Sequence, residues 1–167
     1  GINMPENHDT DFNWPDFVEK INSELIAAYG NFVHRVLTLG ARLEMTVQGP
    51  FSPFDDLSTT FDVQEKLVSL HEQITESLHR HRYKEALRFA MNAAQTGNQM
   101  LQSATPWKFL KTEGDEEYIA LRNTSLSRLA FGWRISRYLA IVMQPFLPFS
   151  SAKLWKALGQ EGEVTDV

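Results

Sequence analysis

One helical pattern near the start of the chain constrains its fold more than any other feature. Apolar residues recur there at gaps of three and four, namely Phe17, Ile21, Leu25, Ala28, Phe32, Val36, Leu39 and Leu43. Their mean spacing is close to the 3.6 residues of a helical turn, so these side chains lie on one face. The pattern predicts one long amphipathic helix that begins at Asn13 as N-cap and packs its apolar stripe on a core.

Two more helices follow a loop at 48–53, where two prolines and a glycine exclude a helix. The same apolar period predicts a second helix from Thr59 or Thr60 and a third that ends at Thr105, the residue before a proline. We place the boundary between these two helices near His81. Small residues on the third helix predict a close approach to a neighbouring helix; they are Ala86, Ala90, Ala93, Ala94 and Gly97.

The last part of the chain predicts one long helix and one short helix. Acidic residues at 115–117 suit the positive end of a helix dipole, and apolar periodicity then continues to Pro145. A short helix follows, capped by Ser150 or Ser151 and stopped by Gly159. Because no segment alternates with period two, we expect an all-α bundle of four main helices and a short C-terminal helix.

Length and composition fit a single domain. At 167 residues the chain can bury a core without disulfides, and the lack of cysteine excludes thiolate metal sites. We divide the chain into a junction segment at 1–12, the helical bundle at 13–159 and a C-terminal tail at 160–167. No apolar run approaches the ~20 residues that span a bilayer, so we expect no membrane partner.

The net charge of the chain argues against nucleic acid as a partner, whereas the distribution of its basic residues permits one. The net charge is −5, whereas nucleic-acid-binding domains usually carry a basic surface. The basic residues are unevenly spread, however, with dense clusters at 79–88 and 122–137. Such clusters are also typical of solvated helix faces, so they permit a local positive surface without establishing one.

Asn31 and Arg35 form the first half of a predicted recognition site. Each stands one residue before a member of the apolar stripe, so each points about 100° away from that stripe. Because they are four residues apart, they are neighbours on one helix face. An amide beside a guanidinium on a rigid helix can contact the polar edge of a base, although the pair also suits a plain solvated helix face.

Trp107 forms the second half of this predicted site. Pro106 restricts the backbone directly before it and helps to fix the direction of the indole. A tryptophan in such a turn often fills the end of a helical bundle. The alternative is a stacking platform for an unstacked base, which is how single-stranded RNA loops are commonly bound.

The sequence contains no pattern that indicates bond-making chemistry. We find no nucleophile motif, glycine-rich phosphate loop, zinc-ligand spacing or carboxylate pair, so we predict neither catalytic nor metal-binding residues. His79 and His81 are two residues apart and would face different sides of a helix. The visible chemistry is therefore recognition.

Several segments together resemble the methionyl-tRNA synthetase family, in particular its archaeal and eukaryotic type. They are Asp11-Phe12-Asn13-Trp14, Gly30-Asn31-Phe32-Val33-His34-Arg35-Val36, Ala104-Thr105-Pro106-Trp107-Lys108 and Gln144-Pro145-Phe146-Leu147-Pro148. The resemblance covers essentially the whole chain. The final segments are shared more loosely among related class I synthetases.

The resemblance implies the anticodon-binding helical domain of a methionine–tRNA ligase. In that family the CAU anticodon is unstacked, and a tryptophan matched by Trp107 after Pro106 stacks on its first base. The family's helix asparagine and arginine, matched by Asn31 and Arg35, contact the polar edge of that cytosine. Some bacterial members carry a further asparagine four residues earlier, where this chain has Ala27, so that contact is not transferred.

The resemblance also implies a parent enzyme with parts that this sequence does not show. Neither the His-Ile-Gly-His nor the Lys-Met-Ser-Lys-Ser signature of the catalytic region occurs here. The parent would charge the methionine tRNA with methionine by using ATP, and its zinc would belong to the catalytic region. For this chain we expect no cofactor, no activity alone, a cytoplasmic location, and two partners: the tRNA anticodon loop and the catalytic domain.

Two alternatives stay open at this point. The chain could be the equivalent bundle of another class I synthetase, which shares the architecture but not the Asn31, Arg35 and Trp107 set. It could also be a helical protein–protein interaction module, an interpretation that its acidic net charge favours.

Overall fold

A computed structural model describes residues 13–42, 61–109 and 114–166 of the chain. These residues form six α-helices, which are α1 (Trp14–Lys20), α2 (Asn31–Arg42), α3 (Phe61–His79), α4 (Tyr83–Ala104), α5 (Glu116–Val142) and α6 (Pro148–Ala157). A π-helical segment (Ile21–Gly30) joins α1 to α2, and short 3-10 turns occupy Pro106–Phe109 and Val164–Asp166. The predicted loop at 48–53 and the start of the second helix at Thr59 or Thr60 lie outside the described residues.

The predicted long first helix is continuous, but its middle is π-helical. We call α1, the π segment and α2 together the first helix. A π turn is wider than an α turn because its hydrogen bonds run over five residues, so it changes which side chains face the core. Tyr29 is buried although the predicted stripe omitted it, and this burial raises the pKa of its phenol to about 12.

The apolar stripe of the first helix is confirmed from Phe32 to Leu39 and wrong at its start, and its last member, Leu43, lies outside the described residues. Phe32, Val36 and Leu39 are buried in the core. Phe17, by contrast, is 40% exposed, and α1 has no buried residue. The predicted cap is also wrong in its detail. Asn13 occupies the N-cap position, but its side chain accepts no hydrogen bond from the N–H groups of the first turn.

Two backbone breaks define α4, and both follow the prediction. The turn between α3 and α4 contains His81 in a left-handed conformation, with a φ of 58°. At the other end, Thr105 is left-handed with a φ of 42°, and its N–H bonds to the carbonyl of Leu101. The next residue, Pro106, cannot continue a helix and is buried against the bundle.

Small residues on α4 allow the close approach of a neighbouring helix that was predicted, and Gly40 on α2 allows another. Gly97 lies against the ring of Phe32, and an added Cβ would come within 2.5 Å of that ring. Gly40 is covered by the indole of Trp133 from α5 in the same way. Gly30 differs, because the nearest atom to an added Cβ is a carbonyl oxygen of its own helix at 3.6 Å.

The C-terminal part begins its short helix earlier than predicted. Asp115 caps α5 by accepting a hydrogen bond of 2.9 Å from the N–H of Tyr118. The helix α6 starts at Pro148 with Leu147 as N-cap, so the prediction of a cap at Ser150 or Ser151 is wrong. Proline suits this position because its fixed φ is helical and it has no N–H to leave unpaired. Gly159, with a φ of 72°, follows the helix end as expected.

The bundle agrees with the predicted fold class. The first helix, α3, α4 and α5 are its four main helices, α6 is the short C-terminal one, and the described residues contain no strand. Past residue 159, Val164 is buried in the core and the carbonyl of Glu161 accepts a hydrogen bond from the indole of Trp155. Within the described ranges, no helix is long and apolar enough to cross a bilayer.

Candidate functional site

A groove of about 1040 Å³ runs between the first helix and α4. One wall consists of Ser23, Ala27, Ala28, Asn31 and Arg35 on the first helix. The turn after α3 closes one end of the groove, and the floor follows the exposed face of α4. We refer to this feature as the groove throughout.

Asn31 and Arg35 are exposed and line the same wall of the groove. The next residues, Phe32 and Val36, are fully buried, so the predicted orientation of the pair away from the apolar stripe is confirmed. The side-chain amide of Asn31 donates one hydrogen bond, of 3.1 Å, to the carbonyl of Ala27. An asparagine amide has a second N–H and an oxygen, so it retains both donor and acceptor capacity.

A hydrogen bond across the groove fixes the first helix to α4. The side-chain amide of Asn98 donates to the carbonyl of Ala28 at 2.7 Å. Ala28 lies in the π segment, and π-helical turns occur frequently at functional sites. Ala28 precedes Asn31 by three residues, so this bond contributes to the position of the Asn31 side chain relative to α4.

Pro106 and Trp107 lie beyond the C-terminal end of α4. Pro106 is buried, whereas Trp107 is 41% exposed. The indole therefore does not fill the end of the bundle core, and part of its surface can contact another molecule. Lys108, directly after it, is exposed as well.

Two contacts show how Trp107 is related to the pair on the first helix. The first is the hydrogen bond from Asn98 to Ala28. The second is at Gly132 of α5, where a Cβ added to the glycine would lie 3.3 Å from Val36 and 3.5 Å from Leu101. The first helix therefore passes the C-terminal half of α4, the half that leads to Trp107. Trp107 is not one of the residues that line the groove, so only Asn31 and Arg35 share that surface.

Polar side chains on α4 form a part of the groove that the sequence analysis missed. They are Asn92, Gln95, Asn98, Gln99 and Gln102. Because they recur at gaps of three and four, they lie on the face of α4 that is directed away from its buried alanines. This polar spacing is visible in the sequence, but only the apolar residues of this helix entered the prediction.

The groove is positively charged although the chain is acidic. Five cationic side chains line it, against one acidic side chain, Glu85. Four of the five cations, at 80, 82, 84 and 88, belong to the predicted basic cluster at 79–88. That cluster therefore shares a concave surface with Asn31 and Arg35.

This arrangement suits recognition of a polar, anionic partner. Amides and guanidinium groups contact base edges, and cationic side chains contact phosphates. Among residues 13–42, 61–109 and 114–166, no group of three histidine, aspartate or glutamate side chains could hold a metal ion. The chain also has no cysteine.

Two family models match the sequence in separate regions. The model described as "Anticodon binding domain of methionyl tRNA ligase" matches residues 55–165. The model described as "tRNA synthetases class I (M)" matches residues 2–37.

Curated proteins similar to this chain are methionine–tRNA ligases. One from Methanopyrus kandleri is 36% identical over 165 residues, which is 98% of this chain and 22% of that protein. Another, from Porphyromonas gingivalis, is 37% identical over 161 residues, or 95% of this chain and 22% of that protein. The chain thus spans about a fifth of the length of these relatives.

Solved structures with a similar fold include methionyl-tRNA synthetases of Mycobacterium tuberculosis. The complex with methionyl-adenylate has a TM-score of 0.75 and 22% sequence identity, and the match covers 90% of this chain and 28% of that one. The apo form has a TM-score of 0.72 and 23% identity, and the match covers 90% of this chain and 29% of that one. At these identities the likeness establishes the fold.

Proposed function

The chain belongs to the family of methionyl-tRNA ligase anticodon-binding domains, and on this premise we propose that it recognises the CAU anticodon of the methionine tRNA. The observation that carries the proposal is the exposed Asn31 and Arg35 pair on one wall of a positively charged groove. In this proposal the first anticodon base leaves the stacked loop and is held by three side chains, Asn31, Arg35 and Trp107.

Asn31 and Arg35 have the role of identifying the base. Cytosine presents both a donor and acceptors on its polar edge, and an amide beside a guanidinium offers the complementary groups. A good bidentate contact contributes ~1–3 kcal/mol of discrimination against a wrong base. Within the described part of the chain, Arg35 has no acidic partner at salt-bridge distance, so its guanidinium can serve a ligand.

Trp107 has the role of a stacking platform. Base stacking on an aromatic ring contributes ~1–3 kcal/mol and depends little on the identity of the base. The 41% exposure of the indole leaves a face for this contact, and the buried Pro106 anchors the backbone directly before it. In this scheme Trp107 supplies affinity and the pair on the first helix supplies specificity.

We further propose that the parent protein is a cytoplasmic enzyme that charges the methionine tRNA in an ATP-dependent reaction. The curated relatives are about five times as long as this chain and are named methionine–tRNA ligases. ATP and a structural zinc would belong to the catalytic region of such a parent. In this proposal, recognition of the anticodon by this chain uses neither ATP nor zinc.

The second proposed partner is that catalytic region of the same protein. Trp14, Phe17 and Val18 form an exposed apolar edge at the start of the first helix, where Trp14 is 68% exposed. The class I synthetase model ends at residue 37 and therefore includes this edge. Exposed apolar patches typically mark an interface, and a contact with the preceding region would cover this one.

Substitution of Trp107 by alanine tests the proposed function. We expect the affinity for a CAU anticodon stem-loop to fall roughly tenfold or more, because the stacking contact is lost. The melting temperature and the circular dichroism of the helices should change little, since the indole is half exposed. Binding should be measured at low salt, because an acidic chain makes few phosphate contacts and loses affinity as salt rises.

Trp14→Ala provides a matched control, because it removes an exposed indole from the start of the first helix, which does not line the groove. It should leave stem-loop affinity unchanged. A large loss of thermal stability in Trp107→Ala with unaltered RNA affinity would assign Trp107 to the packing of the bundle. Equal binding of CAU and wrong-anticodon stem-loops by the unmodified chain would overturn the proposed function itself.

A further inference from the structure

The end of the groove formed by the turn after α3 carries more charge than recognition of one base requires. Arg80, Arg82, Lys84 and Arg88 line this end, and Glu85 is the acidic residue among them. We call these residues the cationic end of the groove. Recognition by Asn31, Arg35 and Trp107 takes place at the opposite half of α4 and uses none of these cations.

The ion pairs at the cationic end are exposed and easily exchanged. Arg82 and Arg88 share the carboxylate of Glu85, at 3.5 Å and 3.7 Å, and all three side chains are at least one-third exposed. Exposed pairs of this kind contribute little to stability. One carboxylate also cannot neutralise two guanidinium groups, so positive charge remains available to an anionic ligand.

Helix electrostatics do not account for Arg82 at the start of α4. Arg82 is the N-cap of α4, and Arg88 follows in its second turn. The N-terminal end of a helix is its positive end, where cationic side chains are unfavourable. The exposed ion pairs with Glu85 stabilise α4 only slightly, so a partner that approaches the groove explains the position of Arg82 better than the stability of α4 does.

The floor of the groove is too long for a single nucleotide. Its exposed residues on α4 extend from Lys84 to Gln102, which corresponds to ~27 Å at 1.5 Å per residue. Along this length the side chains change from cations, near Arg88, to amides, from Asn92 onwards. Cations suit phosphates and amides suit base edges, so the two halves fit different parts of one strand.

We propose that Arg82 and Arg88 bind backbone phosphates of the anticodon arm, so that the groove holds a continuous stretch of RNA from the recognised base to the turn after α3. This inference rests on the proposed function and extends it. The cationic end contributes affinity and orientation irrespective of the anticodon, whereas the half of the groove near Asn31 and Arg35 contributes sequence preference.

The double substitution Arg82→Gln/Arg88→Gln tests this assignment in the chain as it stands. Affinity should be measured from low to moderate salt for a CAU stem-loop and for stem-loops with a changed first anticodon base. We expect affinity to fall by a similar factor for every stem-loop, roughly tenfold at low salt, because phosphate contacts are blind to sequence. The slope of log affinity against log salt should decrease by about 1.4, which corresponds to two lost phosphate contacts on a single strand.

Lys153→Gln/Lys156→Gln is the matched control, because it removes two exposed cations from α6, which does not line the groove. It should change neither the affinity ratio between stem-loops nor the salt slope beyond the general effect of net charge. Glu85→Gln is the converse variant, and it should strengthen binding of all stem-loops by freeing both arginines.

The results separate the two proposals. If Arg82→Gln/Arg88→Gln behaves like the α6 control, the cationic end does not bind RNA, although a preference for CAU would still support the proposed function. If the double variant loses affinity for the CAU stem-loop alone, the arginines read the base and the assignment to phosphates is wrong. If the unmodified chain shows no preference for CAU, the proposed function fails irrespective of the arginines.

Discussion

The first helix presents two contrasting faces to α4 and α5. On one face, which we call the seam, Phe32 covers Gly97, Val36 packs against Gly132, and Gly40 lies under Trp133. On the other face Asn31 and Arg35 line the open groove. The first helix therefore packs against its neighbours on one face and lines an open groove on the other. Residues of the two faces are adjacent in sequence, as Asn31 and Phe32 show.

The difference between the faces shows how the bundle keeps a binding groove open. At the seam, glycines remove side-chain volume so that large rings can fill the space between helices, as protein interiors require. In the groove, polar side chains remain hydrated and do not close the gap. Packing thus fixes the angle of the first helix, and this angle sets the positions of Asn31 and Arg35.

The largest expected effect comes from filling the seam. In Gly97→Ala the new Cβ would lie within 2.5 Å of the Phe32 ring, which is fully buried and would have to shift. We expect a loss of about 2 kcal/mol in the free energy of unfolding, as is typical of an overpacked core. Chemical denaturation monitored by circular dichroism would measure this loss.

Gly30→Ala is the matched control, because it makes the same substitution in the same helical bundle at an uncrowded position. The nearest atom to its new Cβ is 3.6 Å away, so the gain in helix propensity of up to about 1 kcal/mol should dominate. Opposite signs for the two variants would support the close packing of the seam at Gly97. Equal losses would show that close packing is not confined to the seam.

Asn98 tests the boundary between the two faces, with a smaller expected effect. Asn98→Ala removes the 2.7 Å hydrogen bond to the carbonyl of Ala28 and should destabilise the bundle by about 1 kcal/mol. It should also reduce the preference for a CAU stem-loop, since Asn31 is three residues from the lost bond. Melting curves and competitive stem-loop binding would measure the two effects.

Asn92→Ala is the corresponding control, because Asn92 also lines the groove from α4, and within the described residues its side chain makes no hydrogen bond to the first helix. Its effect on stability should be smaller than that of Asn98→Ala. If both variants lose the same stability, the cross-groove bond has no special role in fixing the first helix.

Local rules were sufficient to predict most of the fold. The break at Thr105 follows from the proline after it, and the alanines and Gly97 of α4 predicted a close helix contact that Phe32 provides. The boundary near His81 was predicted from the apolar positions of the two flanking helices, with no proline or glycine to mark it. These features depend on residues that are close in sequence, and so they leave a readable pattern.

The features that were missed depend on hydrogen bonding or on the arrangement of helices. The π segment at Ile21–Gly30 has an ordinary helical composition, so its shifted bonds and the burial of Tyr29 left no pattern to read. The start of α6 was misplaced because serines were preferred as caps over the N1 position of Pro148. The groove itself requires knowledge of which helices are neighbours, although its amide-bearing face on α4 was legible in the sequence.

Arg35 provides the test with the smallest expected effect on stability. Arg35→Gln should change the free energy of unfolding by less than about 0.5 kcal/mol, because the side chain is exposed and no described acidic residue pairs with it. Its effect should instead appear as selectivity. The preference for a CAU stem-loop over one with a changed first base should fall by roughly tenfold, and affinity for the wrong stem-loops should change less.

Arg35→Lys separates geometry from charge at the same position. Lysine keeps the positive charge but lacks the planar fork that contacts two acceptors at once. If Arg35 reads the base, Arg35→Lys should lose selectivity nearly as fully as Arg35→Gln while it keeps the salt dependence of the unmodified chain. If Arg35→Lys instead restores binding of all stem-loops, Arg35 is a phosphate contact like those proposed for Arg82 and Arg88. Both ends of the groove would then bind phosphates, and the proposed division between base recognition and phosphate binding would fail.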